Sequence, residues 1–349
     1  MTSGKHGPPS HMKKRKGNNR KVVLSWKENF KDPLEMLIAD TDLSWYKAKH
    51  PKRTREEIDF ISSLRPESCP YCNSTSYIKY GKRKDIPVFL CKVCGRRFKV
   101  LTGTIFDSSK IPISEWYEFF LHLSQFHSVR TSASDNRNAS NTGFMWYRKI
   151  FLVLEGIQDD VVLGGKVWLD ETFFPVIRSD EIHKDGKNLR GISRNKICVG
   201  VAVDEQGRKR MIVEWTSKPS SKSTLSAFGK HILEGSTLIH DGENSHKNLI
   251  ERLGLKSKIY PTALTKGLPD EDNPLRKIND LHALMKRFME QHGGYEREHL
   301  QDWMNLIWFI FSEPSTVAEK FKIFVKRAVS LRKTLRFDMT LCEKRLKHE

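Results

Sequence analysis

Hydrophobic and polar positions follow two different rhythms along this 349-residue chain. In the first half the period is helical. Trp116, Phe119, Phe120 and Leu123 fall at i, i+3, i+4 and i+7 within 112–155, which predicts an amphipathic helix. A polar break rich in Ser, Asn and Asp (131–141) separates it from a second helix around Met145–Leu154. Such a pair suits a helix-turn-helix module with a long connection. Residues 23–65 also read as helical and end in the capped run that begins Thr54-Arg55-Glu56-Glu57.

From residue 165 the period shortens to that of strands. Lys166-Val167-Trp168-Leu169-Asp170 is a buried-strand pattern. Ile197–Val203, the turn Asp204-Glu205-Gln206-Gly207 and Met211–Trp215 predict a hairpin. A helix follows, with Leu225, Phe228 and Ile232 inward and Ser223 as its cap. Next come a strand at Ser236–Asp241, a helix near Ser245–Leu253 and a strand at Ser257–Tyr260. Three strands, helix, strand, helix, strand is the order of an RNase H-like core, so an α/β multidomain protein is expected. Its segments are a disordered basic arm (1–22), a helical N-terminal region (23–65), a cysteine module (66–100), a helical, helix-turn-helix-like region (101–160), the mixed-sheet core (161–312) and a basic helical tail (313–349).

Charge narrows the partners. Lys plus Arg (61) exceeds Asp plus Glu (42) by 19, which calls for a polyanion, nucleic acid first among them. No apolar run approaches eighteen residues, so no membrane span is expected. No apolar core adjoins the N-terminal charges either, so no secretory signal is expected and a cytoplasmic, nucleoid-associated setting follows.

Cysteine spacing names a metal. Cys69-Pro70-Tyr71-Cys72 and Cys91-Lys92-Val93-Cys94 give C-x2-C-x18-C-x2-C. Two such knuckles bring four thiolates to one tetrahedral Zn²⁺ and leave no open position, so the expected ion is structural, one per chain, in a zinc ribbon. Eight Lys and Arg residues between 79 and 99 make that ribbon a candidate for DNA contact.

Carboxylates at strand ends carry the candidate chemistry. Asp170 and Asp241 each close an apolar strand, and on adjacent strands two carboxylates can hold a pair of Mg²⁺ ions for phosphodiester cleavage. A helix follows at Ile278–Phe288, where Leu281, Leu284, Met285 and Phe288 share one face and Asn279, His282 and Lys286 the other. By geometry alone that second face reads as solvated. Glu171 alternates to the far side of its strand and reads as structural.

Together these motifs resemble the ISXO2-like transposases of the IS1595 insertion-sequence family. The resemblance rests on the four cysteines, Leu-Thr-Gly-Thr-Ile-Phe (101–106), Ile-Pro-Ile-Ser-Glu-Trp (111–116), Trp-Leu-Asp-Glu-Thr-Phe-Phe (168–174), His-Asp-Gly (240–242), Asn279-x2-His282-x3-Lys286, Gly293-Gly294 and Leu300-Gln301-x-Trp-Met, and spans about residues 66–312. It implies a DDE-type core with Asp170, Asp241 and Asn279 as metal ligands and Lys286 as a trailing basic residue. The implied activity is Mg²⁺- or Mn²⁺-dependent cleavage at terminal inverted repeats and joining to target DNA, by a homo-oligomer that synapses two element ends. A DNA-binding regulator without catalysis and a nuclease that cuts without joining are the alternatives.

Overall fold

The computed structural model describes residues 53–107, 109, 111–175, 196–292, 295 and 297–335. The expected basic arm, most of the 23–65 region and Cys342 lie outside the described residues.

Helix α1 (Arg55–Ser63) starts at Thr54, whose hydroxyl accepts the Glu57 N–H at 3.2 Å. The Glu57 side chain is buried. Its carboxylate accepts from Arg53 Nε and from the Ile113 N–H, each at 2.9 Å. That second bond caps the next helix, α2 (Ile113–Ser124), whose own N-cap is a proline with no side chain to offer. Between α1 and α2 lies a three-stranded antiparallel sheet, β1 (Tyr77–Arg83), β2 (Ile86–Cys91) and β3 (Arg97–Phe98). Tyr77, Phe89 and Phe98 form its small core.

The polar stretch expected as a break holds a helix, α3 (Val129–Asp135), capped by the Ser128 hydroxyl on the Thr131 N–H at 3.1 Å. Only residues 136–139 then remain before α4 (Ser140–Leu154). Two helices joined by a short turn are therefore α3 and α4, rather than the pair the sequence pattern predicts. Gly143 lets the two helices meet: a Cβ there would lie 2.7 Å from Ala133 Cβ. Stacked Trp116 and Trp146 rings, 4.3 Å apart, tie α4 to α2.

The second half is a five-stranded mixed sheet in the order β6-β5-β4-β7-β8. Here β4 is Lys166–Pro175, β5 Lys196–Asp204, β6 Lys209–Thr216, β7 Thr237–His240 and β8 Lys256–Ile259. Antiparallel pairing joins β4 to β5 and β5 to β6, while β7 runs parallel to both β4 and β8. Helices α5 (Ser221–Phe228) and α6 (Lys247–Leu253) connect the last strands, with the short α7 (Thr262–Thr265) after β8. Ser220, one turn before the expected cap, is the N-cap of α5, and Ser223 closes the capping box from the third helical position.

Each face of the sheet is buried. Val167, Leu169 and Ala202 pack under α5 and α6. Phe174, Val199, Val201 and Val203 pack under α8 (Arg276–Glu290), α9 (Leu300–Phe311) and α10 (Val317–Leu331), in a core continuous with α1 to α4. Helix α10 falls in the segment read as a basic tail, yet Phe321, Phe324, Val325 and Ala328 are fully buried against α2, α4 and α9. Its charge sits on the outer face of a core helix, so residues 313–331 extend the globular body beyond 312.

Candidate catalytic and metal centres

The ribbon brings its four sulfurs together through two equivalent turns. Asn73 N–H donates to Cys69 O and Gly95 N–H to Cys91 O, and both Asn73 and Gly95 take positive φ, 57° and 68°. The pairs Cys69–Cys94 and Cys72–Cys91 stand 3.6 Å apart, too far for a disulfide. That separation fits the edge of a tetrahedron with sulfur about 2.3 Å from its centre. Amide groups of Cys94 and Val93 aim at the Cys91 sulfur and lower its pKa to about 6. Although the Ser74 amide favours the Cys72 thiolate, burial and the other three sulfurs push that group up to about 12. Four thiols so crowded ionise together only around a cation, and the donor set suits Zn²⁺.

On β4, Trp168 and Phe174 face the α8 side and Leu169 the α6 side, so Asp170 faces α8 and Glu171 the opposite way. Parallel register pairs Lys166 with Thr237, Val167 with Leu238 and Trp168 with Ile239. Carried two residues on, the same offset sets Asp241 beside Asp170. Burial raises the Asp170 pKa to about 7, helped by the negative charges of Glu171 and Asp241. The structure thus joins the two expected aspartates in one partly exposed, electronegative notch.

Helix α8 leans over this notch. Trp168 Nε1 donates to Pro274 O at 2.8 Å, and the Lys277 ammonium lies 5.0 Å from the Trp168 ring centre, fixing the helix start against β4. From α8, His282 reaches the notch, with Nδ1 3.8 Å from Asp170 Oδ2. Burial and the Lys286 charge depress its pKa to about 3, so the imidazole is neutral. Asn279 and Lys286 flank it one turn to either side, both exposed. The helical-wheel reading of this face as solvated therefore fails at His282 and holds for its neighbours. Glu290, further along, is exposed.

Behind the notch, on the α6 side of the sheet, lies a buried chain of groups built on His240 and His246. Gly242 N–H donates to His240 Nδ1, so that nitrogen carries no proton. His246 Nδ1, 2.9 Å from it, must then be a donor. His246 Nε2 lies 3.0 Å from Glu171 Oε1, which also accepts from Ser245 Oγ. Burial opposes charge on His246, but the hydrogen bond and charge of Glu171 outweigh it and raise the pKa, favouring the charged form. Burial and that charge lower His240 to about 4. Its Nε2 donates to Ser257 Oγ at 2.9 Å. This relay ties the Asp241 loop to β4 and β8. Its one sequence signal was the pair His240 and His246 flanking Asp241.

A cleft of about 580 Å³ separates the ribbon from α1 and the loop before α2, lined by Arg53, Lys82, Arg83, Arg97 and Lys99 against Asp107. Burial and the charges of Arg83, Arg53 and Lys84 lower the Lys99 pKa. Like charges held together in this way make an anion site. Arg97 also rests 4.0 Å from the Tyr80 ring centre, which keeps its guanidinium over the sheet. Among the described residues no helix is long and apolar enough to cross a membrane.

Comparison with known proteins agrees with this arrangement. An uncharacterised protein of the transposable element ISH50 from Halobacterium salinarum is 21% identical over 264 residues, covering 72% of this chain and 88% of its own length. Two solved complexes, a pre-cleavage Mos1 transpososome and the Mos1 strand transfer complex, overlap 60% of the chain and 79% and 78% of their own, at 12% identity and TM-scores of 0.22 and 0.24. Overlap that slight leaves the fold to the strand order itself. Residues 162–311, which carry both aspartates, the relay and α8, match the ISXO2-like transposase domain, so this part of the chain is similar to that family.

Proposed function

We propose that the protein is a DNA transposase with an RNase H-like core in which Asp170, Asp241 and Asn279 hold catalytic Mg²⁺ or Mn²⁺. The observation that carries this reading is the notch itself: the register of two adjacent parallel strands brings two carboxylates together, and burial, with the charges of Glu171 and Asp241, pushes Asp170 up to about 7. A bound cation would offset that shift and hold Asp170 ionised. Two such ions supply the Lewis acidity that activates an attacking oxygen and stabilises a leaving one. The residues do the rest. Asp170 on the central strand and Asp241 just after β7 fix the ions, Asn279 completes the ligand set from α8, and Lys286 steadies a phosphate. Water is the nucleophile for cutting the element end, and the freed 3′-hydroxyl is the nucleophile for joining.

DNA is held elsewhere on the molecule. The ribbon, built on one structural Zn²⁺ at Cys69, Cys72, Cys91 and Cys94, offers its basic cleft to the phosphate backbone. Helix α4 presents exposed Asn141 and Phe144, with Arg148 a turn further on, as a recognition helix for the terminal inverted repeats. Synapsis of two ends requires a homo-oligomer, acting on double-stranded DNA in the cytoplasm.

The test uses full-length protein, Mg²⁺ or Mn²⁺ and labelled duplexes carrying the element end. Wild type should cut and join, while Asp170→Ala, Asp241→Ala and Asn279→Ala should each lose both steps by at least about a hundredfold, as loss of a metal ligand does. Activity that survives Asn279→Ala and dies with His282→Ala would move the third ligand to His282. Cutting without joining would make the protein a nuclease. Tight binding without cutting would make it a regulator.

A further inference from the structure

Away from the notch, at the end of the helix that precedes α3 and α4, two imidazoles and a carboxylate converge. His122 closes α2, His127 stands just before the Ser128 cap of α3, and Asp135 ends α3. Their candidate ligand atoms lie within 4.8 Å of one another. Asp135 Oδ2 is 3.3 Å from His127 Nδ1 and 4.0 Å from His122 Nδ1. The two rings stack at 5.3 Å with 15° between their planes, so both present Nδ1 toward the same oxygen. Asp135 Oδ2 is within hydrogen-bond reach of His127 Nδ1 and beyond it for His122 Nδ1. What the three atoms do share is a point between them.

The local backbone holds this arrangement. His127 N–H donates to His122 O at 3.1 Å, so the two histidines are the ends of one closed turn. Phe126 between them takes φ of 65°, uncommon for a non-glycine residue, and its ring is anchored on Phe288 and Phe311. At the other end, Asn136 Nδ2 donates to Glu115 O at 2.9 Å and fixes the end of α3 on α2. All three side chains keep part of their surface open, at 14%, 37% and 22%. One face is thus left for a water or a further ligand.

We propose that His122, His127 and Asp135 form a second metal site, distinct from both the ribbon and the catalytic notch. Imidazole and carboxylate ligands in this number suit a borderline divalent cation such as Zn²⁺, not the oxygen-seeking Mg²⁺. The ligand atoms, now within 4.8 Å of one another, need to close by at most about 1.5 Å to reach the roughly 3.3 Å spacing of a tetrahedral site with about 2.0 Å bonds, a shift that side-chain rotation can supply. Bound metal would clamp the end of α2 to the end of α3 and so set the base on which α3 and α4 sit. The site stands whether or not the transposase reading does.

The experiment compares zinc content and Co²⁺ spectra of the full chain with those of His122→Ala, His127→Gln and Asp135→Asn. Co²⁺ at the ribbon gives intense sulfur-to-metal charge-transfer bands, which report in every variant that the protein is folded and the first site intact. Wild type should carry one more equivalent than each variant and show an added weak visible spectrum free of sulfur bands. Affinity at that second equivalent should fall about a hundredfold or more, at or above the upper end of the roughly 10–100-fold caused by losing an outer hydrogen-bond partner. Zn²⁺ should also raise the unfolding midpoint of wild type further than that of His127→Gln. Equal metal content in wild type and all three variants, with the ribbon bands intact, would overturn the site.

Discussion

At the scale of single residues, the centre of interest is Asp170, whose raised pKa makes two opposite demands. As an acid whose folded-state pKa lies above its unfolded value, it stabilises the fold while protonated. That contribution is full below the unfolded pKa near 4 and is lost as pH rises through about 7. Asp170→Asn should therefore raise the melting temperature of the metal-free protein at pH 8 by a few degrees and change it little at pH 4, while abolishing strand cleavage. Metal must displace the same proton, so Mg²⁺ affinity should weaken by about tenfold for each pH unit below 7. A melting temperature lowered at pH 8 by the substitution would contradict the crowding of charge described for the notch. Asp170 and Asp241 were legible because each follows an apolar run, although only Asp241 stands at a strand end and β4 carries on through Asp170 to Pro175; the cysteines were legible because their spacing is itself a geometry. The Glu171–His246–His240 relay was not, since it depends on which strand face meets α6. His282 was hidden for a related reason: a helical wheel shows which residues share a face, and only the anchoring of α8 at Trp168 decides which one sinks into the notch.

Elements carry the next level of the argument, and edge strand β6 shows how. Its neighbour on one side is β5; on the other, side-chain amides take the place of a strand. Gln158 Oε1 accepts the Met211 N–H at 2.7 Å and its Nε2 donates to Met211 O, while Gln301 Oε1 accepts the Val213 N–H at 2.8 Å. Trp308 Nε1 reaches Lys209 O further along. The Leu-Gln-x-Trp-Met motif thus earns its resemblance by sealing the sheet edge against pairing with another chain. Replacing Gln158 or Gln301 by Leu leaves a backbone amide without its partner and should cost about 1–3 kcal/mol each. The check is the denaturant midpoint, which should fall at unchanged slope. Two elements escaped the sequence for opposite reasons. Val129-Arg-Thr-Ser-Ala-Ser-Asp has too few apolar residues to show a helical period, so α3 looked like a loop. In α10 the i, i+3, i+4, i+7 period of Phe321, Phe324, Val325 and Ala328 was present but lay under the count of lysines and arginines.

For the whole molecule, the structure sets the basic cleft and the aspartate notch in different parts of the fold. One apolar core joins α1 to α4, one face of the sheet and α8 to α10, while the ribbon keeps a small core of its own at Tyr77, Phe89 and Phe98. The basic cleft sits on the ribbon side of that division and the notch on the sheet side. A net charge of +19 makes every DNA complex of this protein salt-sensitive, because each Lys or Arg that meets a phosphate releases counterions. The two regions should then fail in different ways. Lys82 and Arg83 are exposed, so replacing both by Ala removes charge without opening a core. In a plot of log affinity against log salt, that pair should shallow the slope by about 1.8, or about 0.9 per lost phosphate contact. Cleavage at saturating protein should survive, since the notch is untouched. Asp170→Ala should do the reverse: the slope stays as in wild type, and cutting is lost. If the double variant bound DNA with an unchanged slope, the cleft would not be a phosphate site. The path of the DNA would then have to run over α4 alone.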